Sequence, residues 1–497
     1  MRITAHETGL TQRHLWRSAR EAIAMTRTVI VEAEQDGVAG YGEASCFMTD
    51  HYNSSLERMH ADLRCTAPLL AALDLGGPGG DADAVWHRLA AELPASPFVL
   101  AALDSALHDL RARLLGVPLW KSLGLDRPQG LRSSYSIGLD TAEVMVGKLR
   151  ERPGWCAYKV KLADPGDLGI LRELRRETDA PFLIDGNCGW EPDRLVPALP
   201  HLHSFGVRLI EQPYPRAAWD DARTLKEISP IPVIADESIT SPADLDACAE
   251  AFHGINVKPM KAGGLTPALA MLRAARERGL ITMLGCMPES AAGVSATAHL
   301  GGLVDHLDVD VVDLLAVDTG HGLGLDATGH VNLPDRPGSG YLPDATAHGW
   351  YVHHVPADRV HPVRRQLAPA TPDAHHPQDE HPDTRHLAAL LQGRAVGAAS
   401  LYAEDPPAGH VPSDPRPGRA RRLYGMATLD EVRGTGAGSA LLRTALTVAA
   451  LDGAGTVWGH APDAALGFYR KHGFDVLGRS PDLPGTGSHH FVHRSTR

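Results

Sequence analysis

Five short apolar runs between residues 158 and 258 each stop at a charged residue. Tyr-Lys-Val-Lys closes at Lys161, Phe-Leu-Ile runs into Asp185, Arg-Leu-Ile into Glu211, Pro-Val-Ile-Ala into Asp236, and Ile-Asn-Val into Lys258. The successive steps are 24, 26, 25 and 22 residues, one strand and one helix each. Parallel strands buried on both faces read as apolar runs, and each needs a helical crossover of a dozen or more residues before the next. A (β/α)8-type barrel is the fold this pitch predicts. In that fold the residues just past each strand converge on one face. Three carboxylates and three lysines (Lys159 included) are therefore expected in one mouth. An all-oxygen ligand set suits Mg²⁺, and lysines facing a dication are candidates for proton transfer beside a carboxylate.

Strands are expected near residues 133–139, 156–162, 181–187, 207–213, 232–238, 254–260, 281–287 and 309–317. A helix is expected over Pro267–Arg278, capped by Thr266. Ahead of the barrel, residues 1–125 read as an α+β module. It holds a hairpin turning at Asp36-Gly37 and a helix over 98–115 that stops at Gly116-Val-Pro118. The barrel is expected to span 126–325, with 326–345 returning to the first module.

Residues 344–386 change character, carrying eight of the 27 histidines among repeated Pro and Asp. No regular ligand spacing connects these histidines. The expectation over 346–385 is therefore a polar linker, or a loosely ordered start of the last unit, rather than a metal tract. Residues 386–497 read as a smaller α/β unit with a mixed sheet. It comprises a hairpin over 386–402 turning at Gly393, a strand over 423–429, a Gly-rich loop Val432-Arg-Gly-Thr-Gly-Ala-Gly438 and a helix from Ser439.

Of the 497 residues 43% are hydrophobic and 22% charged, as in a globular protein, and the net charge of −12 argues against nucleic acid or an anionic membrane as partner. The polar N-terminus and the lack of an 18-residue apolar span make the cytoplasm the expected compartment. The six cysteines, none in a CxxC pair, are expected as free thiols.

The first 340 or so residues resemble the muconate-lactonizing subgroup of the enolase superfamily. The resemblance rests on Lys-Val-Lys (159–161), the Asp/Glu/Asp series and Asn-Val-Lys-Pro-Met-Lys-Ala-Gly-Gly (256–264). Gly285-Cys-Met-Pro-Glu-Ser290 and Asp308-Val-Asp310 are similar to the dipeptide epimerases. That resemblance implies Asp185, Glu211 and Asp236 as Mg²⁺ ligands and Lys161 and Lys258 as acid/base groups on opposite faces of a substrate α-carbon. It also implies Lys159 as a charge stabilising the enolate, and Asp308 and Asp310 as the grip on a dipeptide ammonium. Val311-Val312 stand where such families usually read Gly-Pro. Glu21, with Arg20 beside it, stands where an Ala-Glu epimerase keeps an arginine for the substrate's side-chain carboxylate, so neutral or cationic second residues are expected. N-acylamino-acid racemase or o-succinylbenzoate synthase chemistry is the alternative for the barrel, and a third reading makes it only a binding scaffold. Lys261 reads equally as a neighbour of the metal site or as a bystander. Glu289 reads equally as a supporting hydrogen-bond partner or a loop anion. Cys286 reads as a packed side chain. Oligomers are common in this superfamily.

The last unit resembles the GNAT N-acetyltransferases through Val432–Gly438 and Gly467-Phe-Tyr-Arg-Lys-His-Gly-Phe474. The resemblance implies acetyl-CoA as cofactor, with its pyrophosphate held by Val432, Arg433, Gly434, Gly436 and Gly438, and Tyr469 as a general acid. Pro462 replaces an Asn usual in that family.

Overall fold

The computed structural model describes residues 1–17, 22–49, 52–71, 73–76, 81–343, 350–367, 375–391, 394–407, 420–480 and 488–496. The chain divides into two compact units, residues 1–6 with 16–344, and residues 7–15 with 345–497. No helix among the described residues is long and apolar enough to cross a membrane.

In the first unit, eight parallel strands follow one another in chain order: Tyr135–Ile137, Tyr158–Lys161, Phe182–Asp185, Val207–Glu211, Val233–Ala235, Gly254–Val257, Ile281–Gly285 and His306–Asp308. A bridge between Ser133 and Leu307, with Ser134 N–H donating to the Leu307 carbonyl at 2.9 Å, closes the ring. Strand alternation then sorts the side chains. Val160, Ile184, Ile210, Val233, Ile255 and Leu284 point outward into the layer of helices. Ala157, Leu183, Leu209, Ile234 and Met283 point inward and fill the barrel's floor. Two residues on from this floor, the same inward positions become Lys159, Asp185, Glu211 and Asp236. Apolar floor and charged mouth are thus successive levels of one alternation.

The eighth strand departs from expectation. It covers His306–Asp308, and Val311–Leu314, expected inside the strand, forms a helical turn. Val-Val-Asp-Leu-Leu fits helical spacing as well as a strand, and short apolar runs do not distinguish the two. The helix expected from Pro267 begins at Leu265, with Gly264 (φ 132°) at its N-cap. A side chain at 264 would meet the Asp104 carboxylate at 2.2 Å. Thr266 lies inside the first turn and is held by Asp104 through its N–H and hydroxyl, each at 2.8 Å.

The cap's hairpin pairs Ala22–Gln35 with Val38–Ser45 and turns through Asp36 (φ 54°) and Gly37 (φ 79°), two left-handed residues as a tight hairpin demands. Its second strand packs on the helix Pro97–Leu114 so closely that a Cβ on Gly42 would lie 2.0 Å from the Ala102 carbonyl. That helix also carries buried His108. Its Nε2 lies 2.9 Å from Thr266 Oγ1, 3.3 Å from Asp83 and 3.5 Å from Asp104. Burial opposes charge on this imidazole, but Asp104 and Asp83 outweigh burial and raise its pKa from 6.5 to about 9. The raised folded value stabilises the protein fully below the unfolded pKa, and that stabilisation is lost as pH rises through about 9. Between pH 6 and 10 the native protein is expected to lose on the order of 3 kcal/mol that a His108→Gln variant does not, read by denaturant unfolding at each pH.

The second unit is a seven-stranded mixed sheet. Its order is Tyr351–His354, Arg385–Leu391, Arg394–Tyr402, Ala420–Thr428, Thr456–Pro462, His489–Ser495, Asp475–Arg479. Ala420–Thr428 and Thr456–Pro462 are its one parallel pair among the described strands. The stretch expected as a linker or a loosely ordered start of this unit contributes an edge strand, Tyr351–His354, and a helix, Ala357–Leu367, to it. Val360 and Val363 on that helix are fully buried in the sheet's core, and Arg364 is paired with Asp379. The polar and proline residues of this stretch conceal an amphipathic helix with a two-valine stripe. The hairpin over 386–402 is present, and its expected turn at Gly393 lies outside the described residues.

Candidate active sites

At the open end of the barrel, Asp185, Glu211 and Asp236 bring one carboxylate oxygen each to within 4.8 Å of one another, all buried. Lys161, Lys159 and Lys258 each make their shortest contact in this cluster with a different acid. Lys161 Nζ donates to Asp185, Lys159 Nζ stands 2.8 Å from Glu211, and Lys258 Nζ donates to Asp236 at 2.7 Å. Lys161 ends the second strand and Lys258 follows the sixth. Four strands in a ring of eight is half a turn, so these two amines approach the carboxylates from opposite walls. Gly285 on the neighbouring strand keeps room for Lys258, since a Cβ there would lie 3.1 Å from the lysine's Cε.

The charges decide the electrostatics. Burial would raise Asp236, but Lys258 and Lys261 outweigh it and hold its carboxyl well below the usual range. Glu211, buried and flanked by Asp185 and Asp236 with Lys159 opposing, is pushed up to about 7. Its Oε2 lies 2.8 Å from the Lys159 ammonium, and Asn256, whose amide donates to Glu211 Oε1 at 3.0 Å, has its Oδ1 buried without a hydrogen-bond donor among the described residues. A small cluster of buried oxygens of high negative charge, with lone pairs left over, fits a hard dication.

Asp308 accepts from Lys159 at 2.9 Å and from Ser134 and Ser136 at 3.0 and 3.2 Å. Asp310 accepts from Ser136 N–H at 2.6 Å. Burial and the adjacent Asp308 push Asp310 well above the usual carboxylate range, so this pair is short of one positive charge. Lys261, buried, donates to the Asp236 carbonyl and carboxylate. Glu289 accepts from Met287 N–H at 2.8 Å, and burial lifts its carboxyl to about 8. Burial likewise holds the Cys286 thiol protonated. Glu21 lies outside the described residues.

Several residues at this mouth escaped sequence reasoning. Gln212 (φ 32°) follows Glu211 and accepts from Asp236 N–H at 2.9 Å and Ser238 N–H at 3.1 Å, while its amide holds Tyr214 and Ser238. It fixes the backbone that carries Asp236. Gln212→Ala is expected to weaken Mg²⁺ binding about tenfold or more, measured by titration calorimetry. Asn256, Ser134 and Ser136 were open to detection, because alternation places 256 on the side of 258 and sets 134 and 136 on one inward row. Tyr52, from the cap, packs with tilted rings between Phe98 (5.5 Å) and Phe47 (6.0 Å). Burial and then the nearby Asp236 and Glu237 raise its phenol, which brings the cap to the edge of the carboxylate cluster.

The enolase C-terminal domain-like family matches residues 142–347, and the mandelate racemase/muconate lactonizing enzyme N-terminal domain matches residues 3–124. An L-Ala-D/L-amino acid epimerase of Maribacter sp. is 36% identical over 340 residues, 68% of this chain and 98% of that protein. The chain belongs to the dipeptide epimerases of the enolase superfamily. An L-Lys-D/L-Arg epimerase of Methylococcus capsulatus is 34% identical over 341 residues, 66% of this chain and 94% of that one. A dipeptide epimerase from Methylococcus capsulatus, solved with Mg and L-Arg-D-Lys, superposes with a TM-score of 0.64 at 33% identity, covering 69% of this chain and 99% of that one. Residues 356–474 match the acetyltransferase (GNAT) family, so the epimerase barrel shares its chain with a GNAT domain.

In that domain Gly434 (φ 80°) and Gly436 (φ 95°) take left-handed conformations that turn the loop into the helix Ala437–Leu451, with Gly436 as its N-cap. Val432 is buried under the loop, and Arg433 pairs at 2.6 Å with Asp430. Gly438, in the helix's first turn, faces the Phe468 ring. Thr435 accepts from Trp350 Nε1 at 2.9 Å and donates to the Val432 carbonyl at 2.7 Å, which braces the turn. Tyr469 is buried against Phe474 and Phe468. Burial lifts its phenol to about 12, and its hydroxyl reaches Met426 Sδ at 3.8 Å.

Proposed function

We propose that the barrel inverts the α-carbon of one residue of a dipeptide by Mg²⁺-dependent 1,1-proton transfer through an enolate, and that the GNAT domain moves an acetyl group from acetyl-CoA to an amine. The observation that carries the first part is the pair Lys161 and Lys258, entering one carboxylate cluster from opposite walls. Inversion needs a base on one face and an acid on the other, and this arrangement supplies both. Asp185, Glu211 and Asp236 would hold Mg²⁺, whose charge, when bound, opposes the second negative charge that builds on the substrate carboxylate.

Lys159 lies between Glu211 and Asp308 and adds fixed positive charge beside the developing enolate. Asp236, when holding the cation, would no longer neutralise Lys258, and burial beside other cations would then favour the free amine that a base requires. Asp308 and Asp310, one cation short as a pair, suit the dipeptide's ammonium. The relatives named for Ala with other amino acids and for Lys-Arg dipeptides support the substrate class without fixing the second residue. In the GNAT domain, backbone N–H groups from Arg433 to Gly438 at the start of a fifteen-residue helix suit the CoA pyrophosphate.

The test is deuterium wash-in at the substrate α-carbon in D₂O with Mg²⁺, run with the full chain over a dipeptide library. Exchange with some dipeptides supports the reading, and none across the library leaves only a scaffold.

A further inference from the structure

The two proposed activities on this chain complement each other chemically. A two-base inversion run alone brings its substrate toward a near-equal mixture of epimers, because both epimers of a dipeptide have similar free energy. Acetyl transfer from a thioester to an amine runs downhill, and it removes the ammonium that the Asp308–Asp310 pair suits.

The second unit holds groups able to take up and deliver the protons of an acetyl transfer to an amine. Ala420–Thr428 and Thr456–Pro462 pair only from Ala420↔Thr456 to Leu423↔Gly459, and beyond that register the two parallel strands part. Tyr424 and His460 stand at the first step past the last pair. The His460 ring packs 4.9 Å from Phe491 and 5.6 Å from Trp458, and its Nδ1 is buried with no hydrogen-bond partner among the described residues. Burial, with Arg422 and His489, keeps this imidazole neutral down to about 4. Met426, on the strand that carries Tyr424, is the thioether contacted by the protonated Tyr469. The parting therefore has a neutral imidazole on one strand and a phenolic proton beside the other.

We propose, resting on the epimerase reading above, that the GNAT domain acetylates the α-amine of the barrel's dipeptide, takes one epimer, and so withdraws it from the epimerisation equilibrium. His460 Nδ1 takes a proton from the dipeptide ammonium. The freed amine nitrogen forms a bond to the acetyl carbonyl carbon, and the C–S bond breaks. The CoA thiolate receives a proton from Tyr469, which regains one as the new amide nitrogen loses its second. The balance is one ammonium and one acetyl thioester to one amide, one thiol and one proton. Without its cation, the product is a poor ligand for Asp308 and Asp310 and does not re-enter the barrel.

The experiment incubates the full chain with Mg²⁺, acetyl-CoA and each dipeptide that shows α-deuteration, following thiol release and separating the acetylated epimers by chiral chromatography. The expected result is thiol release that depends on dipeptide and one acetylated epimer accumulating beyond half of the starting material. The pre-acetylated dipeptide is expected to show no α-deuteration. His460→Gln is expected to slow acetyl transfer about a hundredfold and remove the acid limb of its pH profile, with α-deuteration unchanged. Tyr469→Phe provides a second, nearly isosteric variant with the same expected split. Dipeptides that are deuterated but never acetylated, an acetylated product of both epimers in equal amounts, or pre-acetylated dipeptide exchanging as fast as the free one would each overturn the inference while leaving the epimerase reading intact. Absence of all deuteration would instead remove the epimerase reading.

Discussion

Lys161→Ala and Lys258→Ala are each expected to abolish epimerisation while leaving α-proton exchange from one epimer only, and the two variants are expected to spare opposite epimers. The reason is positional. Each lysine comes from its own wall of the ring, so each has access to one face of a planar enolate. A variant lacking one amine still removes the proton on the remaining lysine's side and returns solvent deuterium there, with retention. Inversion needs both. General acid–base groups contribute about 10² to 10⁴ in rate, so epimerisation in either variant is expected to fall by at least about a hundredfold. The measurement is α-deuteration of the L- and D-epimers separately, by NMR, in each variant. Loss of exchange from both epimers in both variants, with metal affinity and melting temperature unchanged, would mean that the two amines do not act on separate faces. Lys159→Ala is a useful contrast, because that amine lies against Glu211 and Asp308 and its loss should slow both epimers alike.

What the sequence disclosed of this site followed from two periodicities. The pitch of 22–26 residues is the length of a strand and a helix, and it was enough to bring Lys161, Asp185, Glu211, Asp236 and Lys258 to one rim. The period of two within each strand was equally legible for Lys159 and Lys161, and the same alternation sets Asn256, Ser134 and Ser136 on the inward face. Gln212 is a different matter. Its place depends on a left-handed backbone at the strand's end and on two N–H groups 24 and 26 residues away, and no local pattern encodes either. The cap's share was hidden for the same reason, since Tyr52 reaches the barrel's acids only through tertiary packing on Phe98. The eighth strand was placed too late because Val311 and Val312 suit strand and helix alike. There the turn after Asp308 was decided by Ser136, whose N–H takes the Asp310 carboxylate at 2.6 Å. In the second unit the Gly-rich loop could be read because left-handed φ at 434 and 436 favours glycine. The helix Ala357–Leu367 was obscured by charged and proline residues around its buried Val360 and Val363.

Asp236→Asn is expected to cost more than any other single change in the carboxylate cluster, in metal affinity and in stability together. Asp236 is the shared partner of two buried amines, Lys258 at 2.7 Å and Lys261, and its carbonyl also accepts from Lys261. Asparagine preserves shape and one acceptor oxygen but removes the charge. Two ammonium groups then remain near each other, with Glu211 and Glu237 as the remaining acids that act on Lys258. Breaking a buried ion pair by removing one partner costs about 3 to 5 kcal/mol. Lys261, whose pKa burial already lowers against the pull of Asp236, is the amine able to shed its proton, so the loss is expected at the low end of that range. Thermal unfolding should show a destabilised chain, and Asp236→Asn combined with Lys261→Met should recover part of the loss, because it removes the second stranded cation along with the first cause. Metal affinity should not recover in the double variant. Glu211 and Asp185 remain, but a dication held by two carboxylates in place of three loses one of its three charged contacts. Calorimetric Mg²⁺ titration of wild type, single and double variant separates the two effects. Recovery of both stability and Mg²⁺ binding in the double variant would mean that Asp236 serves the lysines and not the cation.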